Sequence, residues 1–280
     1  MKNIKLIILL LLSCFMFAFG AADIVRQIGF LRNIFYPRVY ERKGLGDETK
    51  GGKFDHFFYN KVLRETVNDS GYVDYTAISA NPDNLELYIE QLTKSDTKNL
   101  SRYEHFALLV NAYNAYTLKL ITEYPGIDSI KDISSDKRWK DKRWRIGEDV
   151  LSLDEIEHEI LRKQYGDARI HFTLVCAAKS CPKLRNEPYT GDALIAQLDD
   201  QAVHFFSQEQ NFRWDGGNNT VYLSELLDWF RGDFADNEKG ALEYTLQYLD
   251  TETAGQIRTN IDSVKIKYIP YDWSLNGKWN

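Results

Sequence analysis

The sequence predicts an α+β fold, in which one central buried helix packs on a small, mostly antiparallel sheet. Helical and strand-like patterns interleave along the chain without repeating as βαβ units, which favours α+β over a doubly wound sheet. The longest apolar-periodic segment, SRYEHFALLVNAYNAYTLKLITEYPG, ends at Pro125 and Gly126 and predicts the central helix. With 280 residues, 44% of them hydrophobic, the chain is long enough to bury a full core.

Shorter segments predict further helices on either side of the central one. SLDEIEHEILRKQYG begins with a capping box, formed by Ser152 and Glu155, and ends at Gly166. NPDNLELYIEQLTK has helix-start residues at Asn81 and Pro82 and then an apolar stripe. The same type of helix is predicted for FDHFFYNKVLRETV, GDALIAQLDDQAVHFFSQ, ELLDWFRGDFA and KGALEYTLQYL.

Alternating or β-branched segments predict the strands. KRWRIGEDVLSL is typical of a hairpin that turns at Gly147 and Glu148, and FRWDGGNNTVYLS of a second hairpin. Single strands are predicted for GYVDYTAI, RIHFTLVC and SVKIKYIP.

The first residues have the order of a secretory signal peptide. Lys2 and Lys5 precede an apolar run from Leu6 to Phe19, and small residues in AFGAAD follow at a suitable cleavage position. An uncleaved anchor is the alternative, because the apolar stretch is almost long enough to cross a bilayer. Cleavage would release the protein to the periplasm or the exterior, and only an uncleaved segment would touch the membrane.

Three regions follow from these patterns. Residues 1–22 are predicted as the signal peptide or anchor, and 23–53 as a connector that becomes rich in glycine. Residues 54–280 contain neither a low-complexity stretch nor a linker rich in proline and serine, so we predict a single α+β domain there.

Charge and motifs exclude several classes of function. The net charge of −6 gives no support for nucleic-acid binding. We interpret the basic side chains of the near-repeat DKRWK and DKRWR as the solvent-exposed face of a hairpin. GxGxxG, GxxxxGK[ST] and HExxH are absent, so no cofactor is predicted. The expected partner is a small molecule or a peptide.

The stretch RIHFTLVCAAKSCPKL is the strongest candidate for a functional centre. It contains His171, Cys176 and Cys181, and these two cysteines are the only ones outside the N-terminal segment. If RIHFTLVC is a strand, alternation places His171 and Cys176 on opposite faces. Cys181 would lie in the following loop, from which it could reach either face.

Five motifs together resemble a known family. They are FALLVNAYNAYTL, LSLDEIEHEILR, RIHFTLVCAAKSCPKL, YTGDALIAQLDDQA and YDWSLN, and they extend from about Tyr72 to Asn276. In this order they resemble the family of domain of unknown function 547. The resemblance implies a secreted or envelope protein of bacterial type and no established reaction. The polar positions that recur in the family match His158, His171, Cys181, Asp272, Asn111 and Asn114.

Three interpretations of these residues remain open. In the first, Cys181 is a nucleophile of hydrolase or acyl-transfer type, His158 or His171 accepts its proton, and Asp272 orients the imidazole. In the second, two histidines and two cysteines bind zinc, although the C-x4-C spacing is wide for such a site and we predict no metal. In the third, a disulfide joins Cys176 and Cys181 in a non-catalytic binding domain.

The remaining site residues are candidates for ligand binding. Tyr271, Trp273 and the histidines would line a groove. Asn111 and Asn114 share one face of the central helix, three residues apart. We include both asparagines among the binding candidates, but we expect their amides mainly to satisfy buried backbone groups and to hold the cysteine loop in place.

Overall fold

The computed structural model describes residues 51–279, and this range forms ten α-helices and seven short strands. The α-helices are α1 (Phe57–Thr66), α2 (Tyr75–Ala80), α3 (Asp83–Thr93), α4 (Arg102–Thr122), α5 (Ser135–Arg138), α6 (Leu194–Ser207), α7 (Glu225–Trp229), α8 (Arg231–Phe234), α9 (Glu238–Thr245) and α10 (Thr251–Asn260). The strands are β1 (Val73–Asp74), β2 (Trp144–Ile146), β3 (Asp149–Leu151), β4 (Phe212–Asp215), β5 (Thr220–Ser224), β6 (Lys265–Ile269) and β7 (Gly277–Lys278). This mixture of helices with small sheets confirms the α+β class.

Helix α4 is the predicted central helix. It begins after Ser101, whose side chain accepts a hydrogen bond from the backbone N–H of Glu104, and it runs for 21 residues. Seventeen of its residues are buried, so it is covered on almost every side, as a helix in the middle of a core must be. Its main neighbours are α2, α3, α6 and a π-helix at Glu155–Tyr165, so helices rather than a sheet supply most of its packing.

The strands are divided among three small sheets. Strands β2 and β3 form the predicted antiparallel hairpin, in which Gly147 has a φ of +56° at the turn. Strands β4 and β5 form the second antiparallel hairpin, and β6 joins β5 in parallel. Strands β1 and β7 pair in parallel, which brings the segment around Gly277 against Val73.

Two segments away from the candidate site differ from the sequence predictions. Only Val73–Asp74 of the predicted strand GYVDYTAI is extended, because the carboxylate of Asp74 accepts a hydrogen bond from the backbone N–H of Ala77 and starts α2. Helix α10 was not predicted, although Asp250 caps its first turn through the N–H of Thr253.

The predicted signal peptide at 1–22 and nearly all of the predicted connector at 23–53 lie outside the described residues. Between residues 51 and 279, no helix combines the length and the apolar character needed to cross a membrane. The described residues belong to one compact unit.

Candidate functional site

The segment RIHFTLVC is not a strand, so that prediction is wrong. Residues Ala168–Phe172 form a 3₁₀-helix, which begins where the side chain of Asp167 accepts a hydrogen bond from the N–H of Arg169. The chain after it pairs with a side chain instead of a neighbouring strand. Asn114 on α4 donates to the carbonyl of Thr173 at 3.0 Å and accepts from the N–H of Val175 at 2.9 Å. The alternation of faces expected for His171 and Cys176 therefore does not apply.

The loop from Cys176 to Cys181 is fixed by the segment that contains Tyr271 and Trp273. The N–H groups of Lys179 and Ser180 donate to the carbonyls of Ser274 and Asp272, and the Asn276 N–H donates to the carbonyl of Ala177. Ala177 has a φ of +63°, a left-handed conformation that is rare for alanine and that cross-chain contacts of this kind can hold in place.

Hydrogen bonds converge on the sulfur of Cys181. Its Sγ accepts from the backbone N–H of Cys176 at 3.0 Å and from the hydroxyl of Tyr271 at 3.2 Å. Burial raises the pKa of the Cys181 thiol, but hydrogen bonds from Cys176, Tyr271 and the backbone outweigh it, so the net effect lowers that pKa. For Cys176 the effect is the opposite: the hydrogen bond between its side chain and Cys181, together with burial, raises the pKa of the Cys176 thiol. Both cysteines are free thiols in the structure.

The two histidines form a separate group around Asp233. His171 Nε2 lies 2.7 Å from the carboxylate of Asp233, and Arg162 donates to the same carboxylate through Nε at 2.6 Å and Nη2 at 2.9 Å. His158 Nδ1 lies 3.1 Å from Arg162 Nη1. Phe230 stacks on the imidazole of His171 with ring centroids 4.0 Å apart.

Burial lowers the pKa of His171, and the neighbouring Asp233 offsets this only in part. Burial would raise the pKa of Asp233, but the bonds from His171 and Arg162 hold it well below its usual range. His171 is therefore largely neutral near pH 7, and its partner carboxyl is ionised.

The predicted pairing of Asp272 with an imidazole is wrong. Asp272 is exposed, and its carboxylate accepts hydrogen bonds from the N–H and the hydroxyl of Ser274. Within residues 51–279, Asp233 is the carboxylate that orients His171. No hydrogen bond joins Cys181 to His158 or His171 there, so the expected direct contact between thiol and imidazole is also missing.

Glu157 and Tyr113 couple the thiols and the histidines electrostatically. Glu157 is 3.8 Å from His158 Nδ1, and its charge also acts on His171. Burial raises the pKa of Tyr113 well above its usual value, and the charges of Glu157 and the two thiols raise it further. The two groups are therefore electrostatic neighbours, although the histidines do not touch the thiols.

Glu157, His158 and Arg162 all lie on the π-helix Glu155–Tyr165. The predicted capping box is present, since the N–H of Ser152 donates to Glu155 and the N–H of Glu155 donates to the Ser152 hydroxyl. The helix ends, as predicted, at Gly166 with a φ of +62°. π-Helical geometry is rare and is frequent at functional sites, so its presence under these three side chains supports a functional role.

Half-buried residues form a closed series of contacts beside the cysteine loop. The indoles of Trp229 and Trp273 stack with centroids 5.6 Å apart, and Trp273 is 6.2 Å from Trp139. The carbonyl of Trp139 accepts from the N–H of Asp154, whose carboxylate is 3.5 Å from His158 Nε2. His158 contacts Phe230, which follows Trp229 in the chain. We call this set the tryptophan rim; it comprises Trp139, Asp154, His158, Trp229, Phe230 and Trp273.

Tyr271 connects the rim to the thiols. Its ring lies 4.8 Å from that of Trp229 and 4.6 Å from that of Trp273, and its hydroxyl reaches both cysteine sulfurs. The two aromatic residues predicted to line a groove, Tyr271 and Trp273, are therefore neighbours at the edge of the cysteine loop.

Asn111 and Asn114 are not placed to bind a ligand. Both are buried, and the amide of Asn111 is engaged by the backbone of Tyr189, donating to its carbonyl at 2.8 Å and accepting from its N–H at 3.0 Å. Asn114 forms hydrogen bonds with the backbone just before the cysteine loop. This agrees with the prediction that the two amides satisfy buried backbone groups and hold the loop in place.

Sequence reasoning missed Asp233, Arg162, Glu157 and Tyr113. Arg162 could have been found, because it lies four residues after His158 on one helix and residues with this spacing are neighbours. Asp233 is 62 residues from His171 and has no motif around it, so the sequence contains no signal that links the two. Among the described residues, no group of three or more histidine, cysteine or acidic side chains could hold a metal ion.

Residues 97–206 match the family model described as Protein of unknown function, DUF547. The match supports the resemblance to this domain family that the sequence motifs indicate. It covers α4, the π-helix, the cysteine loop and most of α6. Asp233, Tyr271 and Trp273 lie outside the matched residues. No curated protein and no solved structure matches the chain.

Proposed function

We propose that the protein is an exported enzyme in which Cys181 is the nucleophile of a hydrolytic or acyl-transfer reaction. The observation that carries the proposal is the pair of hydrogen bonds that Cys181 Sγ accepts from Cys176 and Tyr271. Such bonds stabilise a thiolate, which is the reactive form of cysteine. Tyr271 stays protonated and able to donate, because burial and the nearby thiols raise its pKa well above the usual value.

The chemistry would proceed in two steps. The thiolate attacks the carbonyl carbon of an ester, amide or thioester, a thioester to Cys181 forms, and the leaving group departs with a proton. Water or a second nucleophile then breaks this thioester and restores the thiol. His158 is our candidate for the proton donor, because 23% of its side chain is exposed, compared with 2% for His171.

Acyl-enzyme trapping tests the proposal. Incubation with a p-nitrophenyl ester should release a burst of p-nitrophenol and leave an acyl group on Cys181, detected by peptide mass spectrometry. Cys181→Ser should abolish both signals. Tyr271→Phe should slow acylation, and Tyr124→Phe, a change at an exposed tyrosine, should not. A burst that survives in Cys181→Ser, or the absence of any adduct, would contradict the proposal.

A binding domain with a Cys176–Cys181 disulfide is the second candidate. The observation that favours it is that one hydroxyl, that of Tyr271, reaches both sulfurs, at 3.4 Å from Cys176 and 3.2 Å from Cys181, so the two thiols are close to each other. A bridge would remove the nucleophile. Alkylation of the native protein by iodoacetamide distinguishes the candidates: a reactive thiol reacts without reductant and faster at Cys181 than at Cys176, whereas a disulfide blocks both until it is reduced.

Export is supported by the charged and apolar pattern of the first 22 residues. The mature protein from its native host should begin near Ala21 to Asp23, as determined by N-terminal sequencing. A mature form that begins at Met1 would contradict cleavage.

A further inference from the structure

Two cations lie over members of the tryptophan rim. The ammonium of Lys131 is 3.9 Å from the centroid of Trp273, and the guanidinium carbon of Arg138 is 4.5 Å from that of Trp139. Each position is typical of a cation–π contact. This edge of the rim is therefore positively charged, although the whole chain has a net charge of −6.

Arg138 differs from three basic neighbours in its segment, each of which has an ion pair. Lys137 pairs with Asp141, Lys142 with Glu155 and Arg143 with Glu123. Within the described part of the chain, by contrast, the buried Nε and Nη1 atoms of Arg138 have no hydrogen-bond partner. Burial also lowers its pKa, and no carboxylate opposes that effect.

Leaving the Nε and Nη1 groups of this half-buried side chain unpaired is costly, because buried polar groups normally find a partner. An anion is the partner that best matches these N–H groups, since guanidinium forms strong charge-assisted bonds to carboxylate and phosphate. The adjacent indoles are half-buried, and their exposed parts offer apolar surface that a ligand body can cover.

We propose that the tryptophan rim binds the apolar body of a small ligand whose carboxylate or phosphate group is held by Arg138 and Lys131. Within the proposed function, on which this assignment of a substrate rests, the ligand is the substrate or product of Cys181. Tyr271 lies between the rim and the thiols, so a ligand seated on Trp229 and Trp273 is next to the cysteine loop.

Binding of three matched probes tests the inference by calorimetry: phenylacetate, phenyl phosphate and neutral benzyl alcohol. Both anions, or one of them, should bind more tightly than the alcohol, and their order identifies the preferred anionic group. Arg138→Gln should weaken anion binding by about tenfold or more, as expected for a lost hydrogen bond to a charged group, and should leave the alcohol unaffected. Lys131→Gln should weaken the same probes. Lys140→Gln, at an exposed lysine of the same segment, is the control and should change nothing.

Stability provides a second readout. Arg138→Gln removes the cation–π contact with Trp139 but also removes two unpaired buried nitrogens, so its melting temperature should stay close to that of the wild type. A fall in the melting temperature larger than the loss of one cation–π contact explains would show that the protein itself satisfies the guanidinium, and it would overturn the proposal. So would the absence of saturable binding, or equal losses for the anions and the alcohol.

Cys181→Ser separates this inference from the proposed function. The variant should bind the anionic probes as the wild type does, because the rim does not depend on the thiol. Probe binding without any acylation of the wild type would overturn the enzymatic proposal alone. Acylation of Cys181 together with anion binding that Arg138→Gln leaves unchanged would overturn the ligand assignment alone.

Discussion

Asp233→Asn should destabilise the protein strongly, because three hydrogen bonds from Arg162 and His171 end on this carboxylate. The side chains of Asp233, Arg162 and His171 are only 19%, 15% and 2% exposed. Breaking a buried ion pair by removing one partner costs about 3–5 kcal/mol. Asparagine keeps one acceptor oxygen, so we expect a loss of roughly 3 kcal/mol in the free energy of unfolding, at the lower end of that range.

The assay is thermal and urea denaturation followed by circular dichroism. A loss of about 3 kcal/mol corresponds to a melting temperature roughly 6–12 °C lower for a domain of this size. Asp262→Asn, the same change at an exposed carboxylate paired with Lys239, should cause no measurable shift. If Asp233→Asn melts within about 1 °C of the wild type, the carboxylate does not hold Arg162 and His171 together, and our account of the role of Asp233 is refuted.

The pH dependence gives a separate check. The folded pKa of Asp233 lies below its unfolded value, so its contribution to stability is present above about pH 4 and is lost as the pH falls through the folded pKa. The difference in stability between the wild type and Asp233→Asn should therefore shrink below about pH 4. The folded pKa of His171 is also lowered, so its contribution is present above about pH 6.5 and declines as the pH falls below that value.

Three further substitutions test other parts of the structure by denaturation. Glu104→Gln should destabilise the protein by about 2–3 kcal/mol, because Glu104 is a buried carboxylate bonded to the N–H of Gly191 and facing His56. This loss should diminish in acid, since the pKa of Glu104 is lowered in the folded protein. Asn114→Ala should cost about 2–4 kcal/mol by leaving two buried backbone groups unpaired, and it should make Cys176 more reactive to iodoacetamide. Gly277→Ala should cost about 1–3 kcal/mol or more, because the added Cβ would lie 2.3 Å from the Val73 carbonyl oxygen.

Local signals in the sequence were sufficient for most of the longer helices and for both hairpins. The Ser152 capping box, the αL glycine at Gly166 and the turn glycine at Gly147 each act within a few residues, so pattern and local chemistry agree. The buried amide of Asn114 was also predictable in kind, because such a group must find backbone partners.

The strand predicted for RIHFTLVC failed because distant residues decide its conformation. Its β-branched and aromatic residues favour a strand, but Asn114 supplies the donor and acceptor that a neighbouring strand would supply. The candidate site could be predicted only in part, for a similar reason. The cysteines and histidines are visible in the sequence, whereas their pairing with Tyr271 and Asp233 depends on contacts across 90 and 62 residues.

The separation of 90 residues between Cys181 and Tyr271 has a consequence for biogenesis. At about 5–20 residues per second, the ribosome takes roughly 5–20 s to reach Tyr271 after it has made the cysteine loop. During that interval the loop lacks the segment that fixes its backbone and the hydroxyl that donates a hydrogen bond to Cys181 Sγ. The hydrogen bond from Tyr271 that helps to lower the pKa of Cys181 therefore forms only when the tyrosine docks, so the thiol reactivity that we propose would report completion of folding.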